Sequence, residues 1–450
     1  MKKYLKKKYD KNICVVGLGY VGLTLAVVMA EKGFNVVGIE KRQNIVDFIN
    51  KGQPYFFEPD LKKSLLKVVK NNKLKAINYF DKKYKTDVYI ITVGTPLYKN
   101  NKSRIDFIIK ATKQVAKHFE DGALIIIRST VKIGTTRKIV KKILKKTGKK
   151  FDLAMCPERT LEGNALKELI INPQIIGADS VGERERAAAL FKRITSKTIL
   201  VSSLETAEII KLVDNTFRDV QFGFSNEVAR VCENYGVNVL EVISSGKKNF
   251  KRTNLPIPGL VGGPCLGKDP HILVESAKYT GISMEITQAA RIVNERQPKE
   301  TLKFILHELR KRFSDRNLKI SLLGIAFKGL PITDDLRGSM SLKLIKYLEK
   351  YYPQSSITLF DPVLSVNNLK NKISGKFIFA NSLFDAIKNS HVVIIANNHP
   401  LLSSQNPFEI LKLIKKNGFI YDYWNNFNYY NSKKLSNFYY SVGNINANHE

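Results

Sequence analysis

The sequence predicts an α/β protein: a parallel sheet covered by helices on both faces, then an all-helical middle domain, then a second, smaller α/β domain. Three observations carry that prediction. In the first half, short apolar runs alternate with helical patterns, and several runs are apolar throughout, as strands buried on both faces must be. Near Leu204 the alternation gives way to one helical pattern with few breakers. Near Asn317 the alternation resumes. At 450 residues, 44% apolar and 10% aromatic, the chain is globular in composition and too long for one ordinary core. The expected domains are 1–203, 204–314 and 315–450.

Taken in order, NICVVGLG (12–19) is the first strand, and YVGLTLAVVMAEKG is a helix that stops at Gly33. NVVGIE (35–40) is the next strand. DVYIITVGTP (87–96) and ALIIIRSTV (123–131) are buried strands, with a helix between them starting near Asp106. FDLAMCPER (151–159) follows another helix. From Glu205 to about Ile243 the pattern reads as one long helix. A loop rich in Gly and Pro follows, NLPIPGLVGGPCLGKDP (254–270), and then helix to about Arg312. In the last domain LKISLLGIAFKG (318–329), SITLFDP (356–362), HVVIIANN (391–398) and GFIYDYW (418–424) carry strands, and SMSLKLIKYLEKYY is a helix. The tail beyond it is polar and aromatic without a clear period, and its end is expected to fray.

The segment Ile13–Ala30 has eighteen positions without a charge behind a lysine-rich start. A signal peptide begins in this way, and eighteen apolar residues can just span a bilayer. Gly17, Gly19 and Gly22 point elsewhere, because their G-x-G-x-x-G spacing falls between a strand and a helix. There the first glycine permits a tight turn, the second lets backbone amides approach a pyrophosphate, and the third lets helix pack on strand. Glu40 ends the next strand, eighteen residues after Gly22, where a carboxylate can accept from the adenosine ribose hydroxyls. An acid there favours NAD over NADP, although Lys41 and Arg42 stand beside it. The segment is expected to fold as soluble core, and the protein to be cytoplasmic.

A formal net charge of +34 admits a polyanion partner, either nucleic acid or an anionic small substrate. The lysines are dispersed, however, with no zinc-finger spacing and no basic block interleaved with aromatics. They fit a general bias toward Lys, Asn, Ile and Tyr, so neither a specific nucleic-acid partner nor a membrane is expected. The four cysteines, Cys14, Cys156, Cys232 and Cys265, form no C-x-x-C pair and no Cys/His cluster of metal-ligand spacing, so no metal is expected. Cys14 lies in a strand pattern and Cys232 in a helical one, whereas Cys265 lies in the Gly/Pro loop.

Seven motifs in order now give the chain a recognisable signature: GLGYVGL (17–23), VGTP (93–96), STVKIGTT (129–136), CPERTLEG (156–163), EIIKLVDN (208–215), GGPCLGKD (262–269) and GIAFKGLPITDDLRGS (324–339). This combination, running from about Lys11 to about Asn426, resembles the UDP-glucose/GDP-mannose dehydrogenase family of NAD-dependent nucleotide-sugar 6-dehydrogenases. The resemblance implies two Rossmann-like domains joined by a long helix, and a homodimer or larger oligomer formed through the helical middle. It also implies four-electron oxidation of a C6 primary alcohol to a carboxylate, with two NAD⁺ and one water. An aldehyde has no second hydride to give until a nucleophile adds to it, and Cys265 matches that nucleophile. Lys211 would stabilise the alkoxide or oxyanion, and Asn215, one turn along the helix, would donate to it. Asp269 would position water or carry a proton, Glu158 would serve hydrolysis, Glu162 would lie near the nicotinamide, and Thr130 would hold water or a substrate oxygen. Tyr20, Val21, Thr95, Thr130, Glu162 and Arg337 carry over as cofactor contacts beside the three turn glycines and Glu40. Glu158, Lys211, Asn215, Arg252, Gly262 and Lys328 carry over as substrate contacts, with Asp334 and Asp335 orienting the Lys328–Arg337 loop.

Within that family the sugar is less sharply marked. CPERTLEG has the PER form of members acting on N-acetylhexosamines, yet Pro264 stands where those members place a histidine and glucose-type members a small residue. Gly267 and Lys268 resemble the glucose type. The expected substrate is a UDP-N-acetylhexosamine, with UDP-glucose as the alternative. Two readings from other classes are weaker. A two-electron β-hydroxyacid dehydrogenase would need neither the cysteine nor residues 317–426, and a nucleic-acid-binding protein would rest on charge alone.

Overall fold

The computed structural model describes residues 10–250, 252–315, 317–427 and 435–445. Two compact units emerge: Met1–Asp214 with His271–Ser283, and Asn215–Pro270 with Met284–Glu450. Each is built on its own sheet.

The first sheet has eight strands: β1 (Asn12–Val16), β2 (Asn35–Ile39), β3 (Leu74–Ile77), β4 (Val88–Ile91), β5 (Ala123–Ile127), β6 (Phe151–Met155), β7 (Gln174–Gly177) and β8 (Thr198–Val201). Their order is β3-β2-β1-β4-β5-β6-β7-β8, and every pairing is parallel except β6 with β7. Because strand side chains alternate, Ile13 and Val15 enter one apolar cluster while Cys14 and Val16 enter the cluster on the opposite face. Both faces are covered, as a parallel sheet requires.

The uncharged segment Ile13–Ala30 is therefore strand, turn and helix inside this core. The helix Tyr20–Glu31 is apolar nearly all round because it is buried nearly all round. It ends where Gly33 takes φ +89° and the amides of Gly33 and Phe34 donate back to Ala30 and Met29, a Schellman stop. No helix among the described residues is long and apolar enough to cross a membrane.

The second sheet has six strands: β9 (Lys319–Leu323), β10 (Ser356–Phe360), β11 (Phe377–Phe379), β12 (Val392–Ile395), β13 (Phe419–Asp422) and β14 (Tyr439–Ser441). They lie in the order β11-β10-β9-β12-β13-β14, all parallel. Here the structure corrects the reading of the tail. Tyr439–Ser441 is a buried edge strand on β13, and Tyr439 donates its hydroxyl to the buried Asp422 carboxylate at 2.9 Å. The frayed end expected beyond it lies outside the described residues.

The helical region also differs in one respect. The pattern read as one helix from Glu205 to Ile243 is two, Leu204–Tyr235 and Val239–Lys247. Gly236 (φ +66°) stops the first with a bond from Val237 N–H to the Cys232 carbonyl, and the Asn238 side chain caps the second by accepting from Leu240 N–H. Apolar periodicity continued across the break, so it could not reveal the turn. The later helices are Gly263–Leu266, Asp269–Lys278 and Glu285–Arg312.

Candidate active site

In the first unit the strand order reverses between β1 and β4, and a doubly wound sheet opens a ligand crevice at the carboxyl ends of such a pair. The glycine turn leaves β1 there. Gly17 has φ +98°, and its N–H donates to the Ile39 carbonyl at 2.8 Å. A Cβ on Gly22 would stand 1.9 Å from the Gly17 carbonyl oxygen, so the third glycine is demanded by packing. A Cβ on Gly19 would meet nothing within 4 Å. Gly19 is the N-cap of the Tyr20–Glu31 helix and makes no side-chain cap bond, so space lies open over a helix start that favours a phosphate. That arrangement fits a dinucleotide pyrophosphate lying against Gly19, Tyr20 and Val21.

Glu40 is buried at the end of β2, but its carboxylate is not idle. Arg42 Nε donates to Oε1 at 2.8 Å and its NH2 to Oε2 at 3.2 Å, while the guanidinium lies 5.3 Å from the Tyr55 ring centre. The acid that would accept from a ribose is thus oriented by its basic neighbour.

The loops after β4 and β5 run side by side. Thr95 donates its hydroxyl to the Thr130 carbonyl at 2.6 Å, and Ser129 donates to the Val93 carbonyl at 2.7 Å. Thr130 itself is half-buried. Glu158 is buried after β6 with both oxygens engaged. Oε2 accepts from Arg128 Nε and NH2 at 2.9 and 2.6 Å, and Oε1 accepts from the backbone N–H groups of Arg159 and Thr160 at 2.8 Å each. Burial pushes its carboxyl up, but the Arg128 charge, the Thr160 N–H and the Lys211 charge outweigh burial and hold it below the usual carboxylate range. Glu158 is a fixed anion. Glu162 is half-buried on the same loop, whose end is held by Glu58 accepting from Gly163 N–H at 2.7 Å and Ala165 N–H at 2.8 Å.

Lys211 and Asn215 lie one turn apart on the Leu204–Tyr235 helix, and both are buried. One turn before Lys211, Glu208 ties this helix to the STVKIGTT loop, accepting from Gly134 N–H at 2.5 Å and Thr136 N–H at 2.9 Å.

In the second unit, Cys265 is the exposed cysteine; Cys14, Cys156 and Cys232 are buried, and burial drives their thiols up. Cys265 sits on the single-turn helix Gly263–Leu266, with Pro264 at its start, where a missing N–H goes unnoticed. A Cβ on Gly262 would lie 2.4 Å from the Gly338 carbonyl oxygen, and one on Gly263 (φ +90°) would lie 2.4 Å from the Phe327 ring. Gly263 N–H donates to the Gly338 carbonyl at 2.8 Å. Both glycines are needed for this close approach. Asp269 is fully buried, accepting from Asn215 Nδ2 at 2.6 Å and pairing with Lys268 Nζ at 2.7 Å. Arg337 is exposed and gripped by Asp335, with Nε 2.8 Å from Oδ2. Lys328 is half-buried over the Phe327 ring, and Arg252 is exposed near the Phe250 ring. The turn after β9 carries its own anion: the Asp361 carboxylate accepts from the N–H groups of Ile325 and Ala326.

Sequence reasoning assigned nothing to Arg128, Glu58 or Asp361. Arg128 alone left a signal, a charge directly after the aliphatic run LIII. Glu58 and Asp361 stand in ordinary turn sequence, and only folding brings them to their amides.

A glycine turn at the switch point of one parallel sheet, with a second doubly wound sheet following a helical region, defines a dinucleotide-binding α/β protein. Comparison with known proteins narrows the class. Three domain families match in succession: the UDP-glucose/GDP-mannose dehydrogenase NAD binding domain over residues 11–195, the central domain over 205–296 and the UDP binding domain over 321–429. The chain belongs to the UDP-glucose/GDP-mannose dehydrogenase family, and is an NAD-dependent nucleotide-sugar dehydrogenase. It is 33% identical to a UDP-N-acetyl-D-mannosamine dehydrogenase of Pyrococcus horikoshii over 401 residues, 88% of this chain and 91% of the relative. A solved UDP-D-ManNAc dehydrogenase structure from Pyrococcus horikoshii is 31% identical, with a TM-score of 0.85 over 96% of this chain and 99% of that one. A UDP-glucose dehydrogenase from Pyrobaculum islandicum, 24% identical, shares the fold with a TM-score of 0.86 over 98% and 99% of the two chains.

Proposed function

We propose that the enzyme oxidises the C6 primary alcohol of a UDP-N-acetylhexosamine to the uronic acid, with UDP-N-acetylmannosamine the first substrate to test. The substrate named for the Pyrococcus relative supports this reading, as does the PER form of the loop after β6. UDP-glucose is the second reading, favoured by Gly267 and Lys268 before Asp269.

Gly17, Gly19, Tyr20, Val21, Gly22 and Glu40 would hold NAD, with Thr95, Thr130, Glu162 and Arg337 as further contacts. When bound, NAD⁺ supplies the hydride acceptor. The protein's own groups do the rest. The C6 hydroxyl gives its proton to water, and the Lys211 ammonium stabilises the alkoxide. After oxidation to the aldehyde, Lys211 stabilises the oxyanion that forms when Cys265 Sγ, its proton also passed to water, adds to C6 as the thiolate. Asn215 gives one amide hydrogen to Asp269, which orients the other toward that oxyanion. Loss of the second hydride from the thiohemiacetal leaves a thioester. Water then adds at C6 and expels the Cys265 thiolate, with Asp269 accepting the water proton on Oδ1, which Lys268 meets as an ion pair and no hydrogen bond occupies. Glu158, with every oxygen already engaged, serves hydrolysis by fixing the loop and its charge, not by exchanging a proton. Lys328, Arg252 and Gly262 contact the nucleotide sugar.

The observation that carries this reading is Cys265: an exposed thiol on a loop whose two preceding glycines have no room for a side chain. The test is NADH yield per nucleotide sugar. We expect two NADH per UDP-N-acetylmannosamine and no acid from Cys265→Ala. One NADH per sugar with an unaffected Cys265→Ala enzyme would sink the thioester route, and a higher kcat/KM for UDP-glucose would replace the substrate.

Residues 1–203, 204–314 and 315–450 serve as cofactor, helical and nucleotide-sugar domains. A homodimer through the helical domain is supported by exposed apolar residues at Ile209, Val213, Phe217, Phe224 and Val231 along the long helix. The reaction is placed in the cytoplasm, where thiols stay reduced.

A further inference from the structure

Buried backbone groups need partners, and the Gly/Pro loop ahead of Cys265 forms neither helix nor strand over residues 253–262. Side chains from two helices supply them. From the Leu204–Tyr235 helix, Gln221 donates to the Asn254 carbonyl at 3.3 Å and Ser225 to the Pro256 carbonyl at 2.5 Å. Asn226 treats Gly259 as another peptide would: its Oδ1 accepts from Gly259 N–H at 3.0 Å, and its Nδ2 donates to the Gly259 carbonyl at 3.1 Å. From the Glu285–Arg312 helix, Arg291 NH1 donates to the carbonyl of Leu266, the residue after Cys265, at 3.1 Å.

These two anchors are joined underneath. Asn226 Nδ2 also donates to Asn294 Oδ1 at 3.0 Å, and Asn294 Nδ2 donates to Asp219 Oδ1 and to its carbonyl, each at 2.9 Å. Asp219 Oδ1 receives Arg291 NH1 at 2.5 Å. Asp219, Asn226, Asn294 and Arg291 are all buried, the first three completely. A buried ion pair with two amides adds little stability over an apolar quartet of the same volume. What it adds is geometric specification at both ends of one short segment, Gly259 to Leu266.

We propose that Asn226 and Arg291, locked together through Asn294 and Asp219, are positioning residues that hold the Cys265 thiol at its working place for the second oxidation. The proposal rests on the reading of Cys265 as nucleophile. Attack requires the reacting atoms within about 3–3.5 Å and aligned, and a displacement near 1 Å costs roughly a hundredfold. The first oxidation, alcohol to aldehyde, makes no use of the thiol. Loosening the loop therefore separates the two half-reactions, which a general loss of folding does not.

Two variants test it in the full-length enzyme with UDP-N-acetylmannosamine and NAD⁺. Arg291→Lys keeps a cation against Asp219 but shortens the reach to Leu266. The pair Asp219→Asn with Arg291→Met removes both charges together, so no lone buried charge remains to unfold the protein. For each, we expect NADH per sugar to fall from two toward one, aldehyde to be trapped by hydroxylamine, and kcat for acid to drop roughly a hundredfold with KM for the nucleotide sugar within about twofold. Iodoacetamide labelling of Cys265, followed by peptide mass, should also change in rate. A folded variant with wild-type stoichiometry and kcat overturns the proposal, as does equal loss of both hydride transfers. If Cys265→Ala itself still gives two NADH per sugar, the thioester reading fails instead, and the two failures are told apart.

Discussion

Gly19 and Gly22 stand three residues apart in one motif and answer to opposite demands. A methyl on Gly22 would overlap the Gly17 carbonyl, whereas a methyl on Gly19 would meet open space. Gly22→Ala should therefore destabilise the protein by about 1–3 kcal/mol, read by urea unfolding. Gly19→Ala should leave stability within about 0.5 kcal/mol and weaken NAD binding about tenfold or more, read by titration calorimetry. Equal effects in both assays would remove Gly19 from the pyrophosphate site. Arg128 belongs at this scale too. Replacing it by Met would strand the buried Glu158 carboxylate, at a cost of about 3–5 kcal/mol. Because the folded carboxyl is held low, its contribution is present above the ordinary carboxylate pKa near ~4.3 and is lost as pH falls through the lower folded value. Unfolding of the wild type between pH 5 and pH 3 should show that loss, and the variant should lose less over the same range, since Asp179 and Glu205 are also held low. The glycines were legible in the sequence because their spacing falls between a strand and a helix, with Glu40 at the end of the next strand. The demand for Arg128 was not, because it comes from Glu158 and Gln174, thirty and forty-six residues away.

At the scale of elements, Glu208 is the joint between the long helix and the STVKIGTT loop. Burial pushes its carboxyl up to about 7, against the opposing pull of Thr136 and Gly134. A carboxyl raised on folding contributes stability below its unfolded pKa and loses it as pH rises through the folded value. Glu208 should contribute up to about 3 kcal/mol in favour of pH 5 over pH 8 in urea unfolding, and Glu208→Gln should reduce the difference by that much, leaving the part due to Asp422, raised to about 6 by burial. An unchanged difference would mean that Glu208 carries none of it. The strands β1, β2, β4, β5, β6, β9, β10, β12 and β13 and the longer helices were readable because their apolar periods differ, whereas β3, β7, β8 and β11, of three or four residues each, were not. The break at Gly236 and the edge strand Tyr439–Ser441 were not: the first interrupts a period that resumes unchanged, and the second has only three residues, held by pairing to β13.

For the whole molecule, the exposed apolar row on the long helix is the feature a monomer would leave in water. Phe217 and Phe224, seven residues apart and 61% and 55% exposed, mark its centre. For the proposed dimer through this face, Phe217→Glu with Phe224→Glu should lower the mass in sedimentation velocity to that of a monomer without lowering helix content; an unchanged mass would exclude this face. The +34 charge makes non-specific retention on nucleic acid expected in low salt, so retention alone says nothing about function. The sequence by itself determined the alternation of strands and helices, the dinucleotide turn and the family, since each is written in spacing along one element or in motifs that keep their order. Only the tertiary structure decided how the proposed site residues are held: Glu158 by Arg128, Asn215 by Asp269, and the Cys265 loop by Asn226 and Arg291. Those partners lie far apart in the chain, and a hydrogen bond leaves no period in the sequence that encodes it.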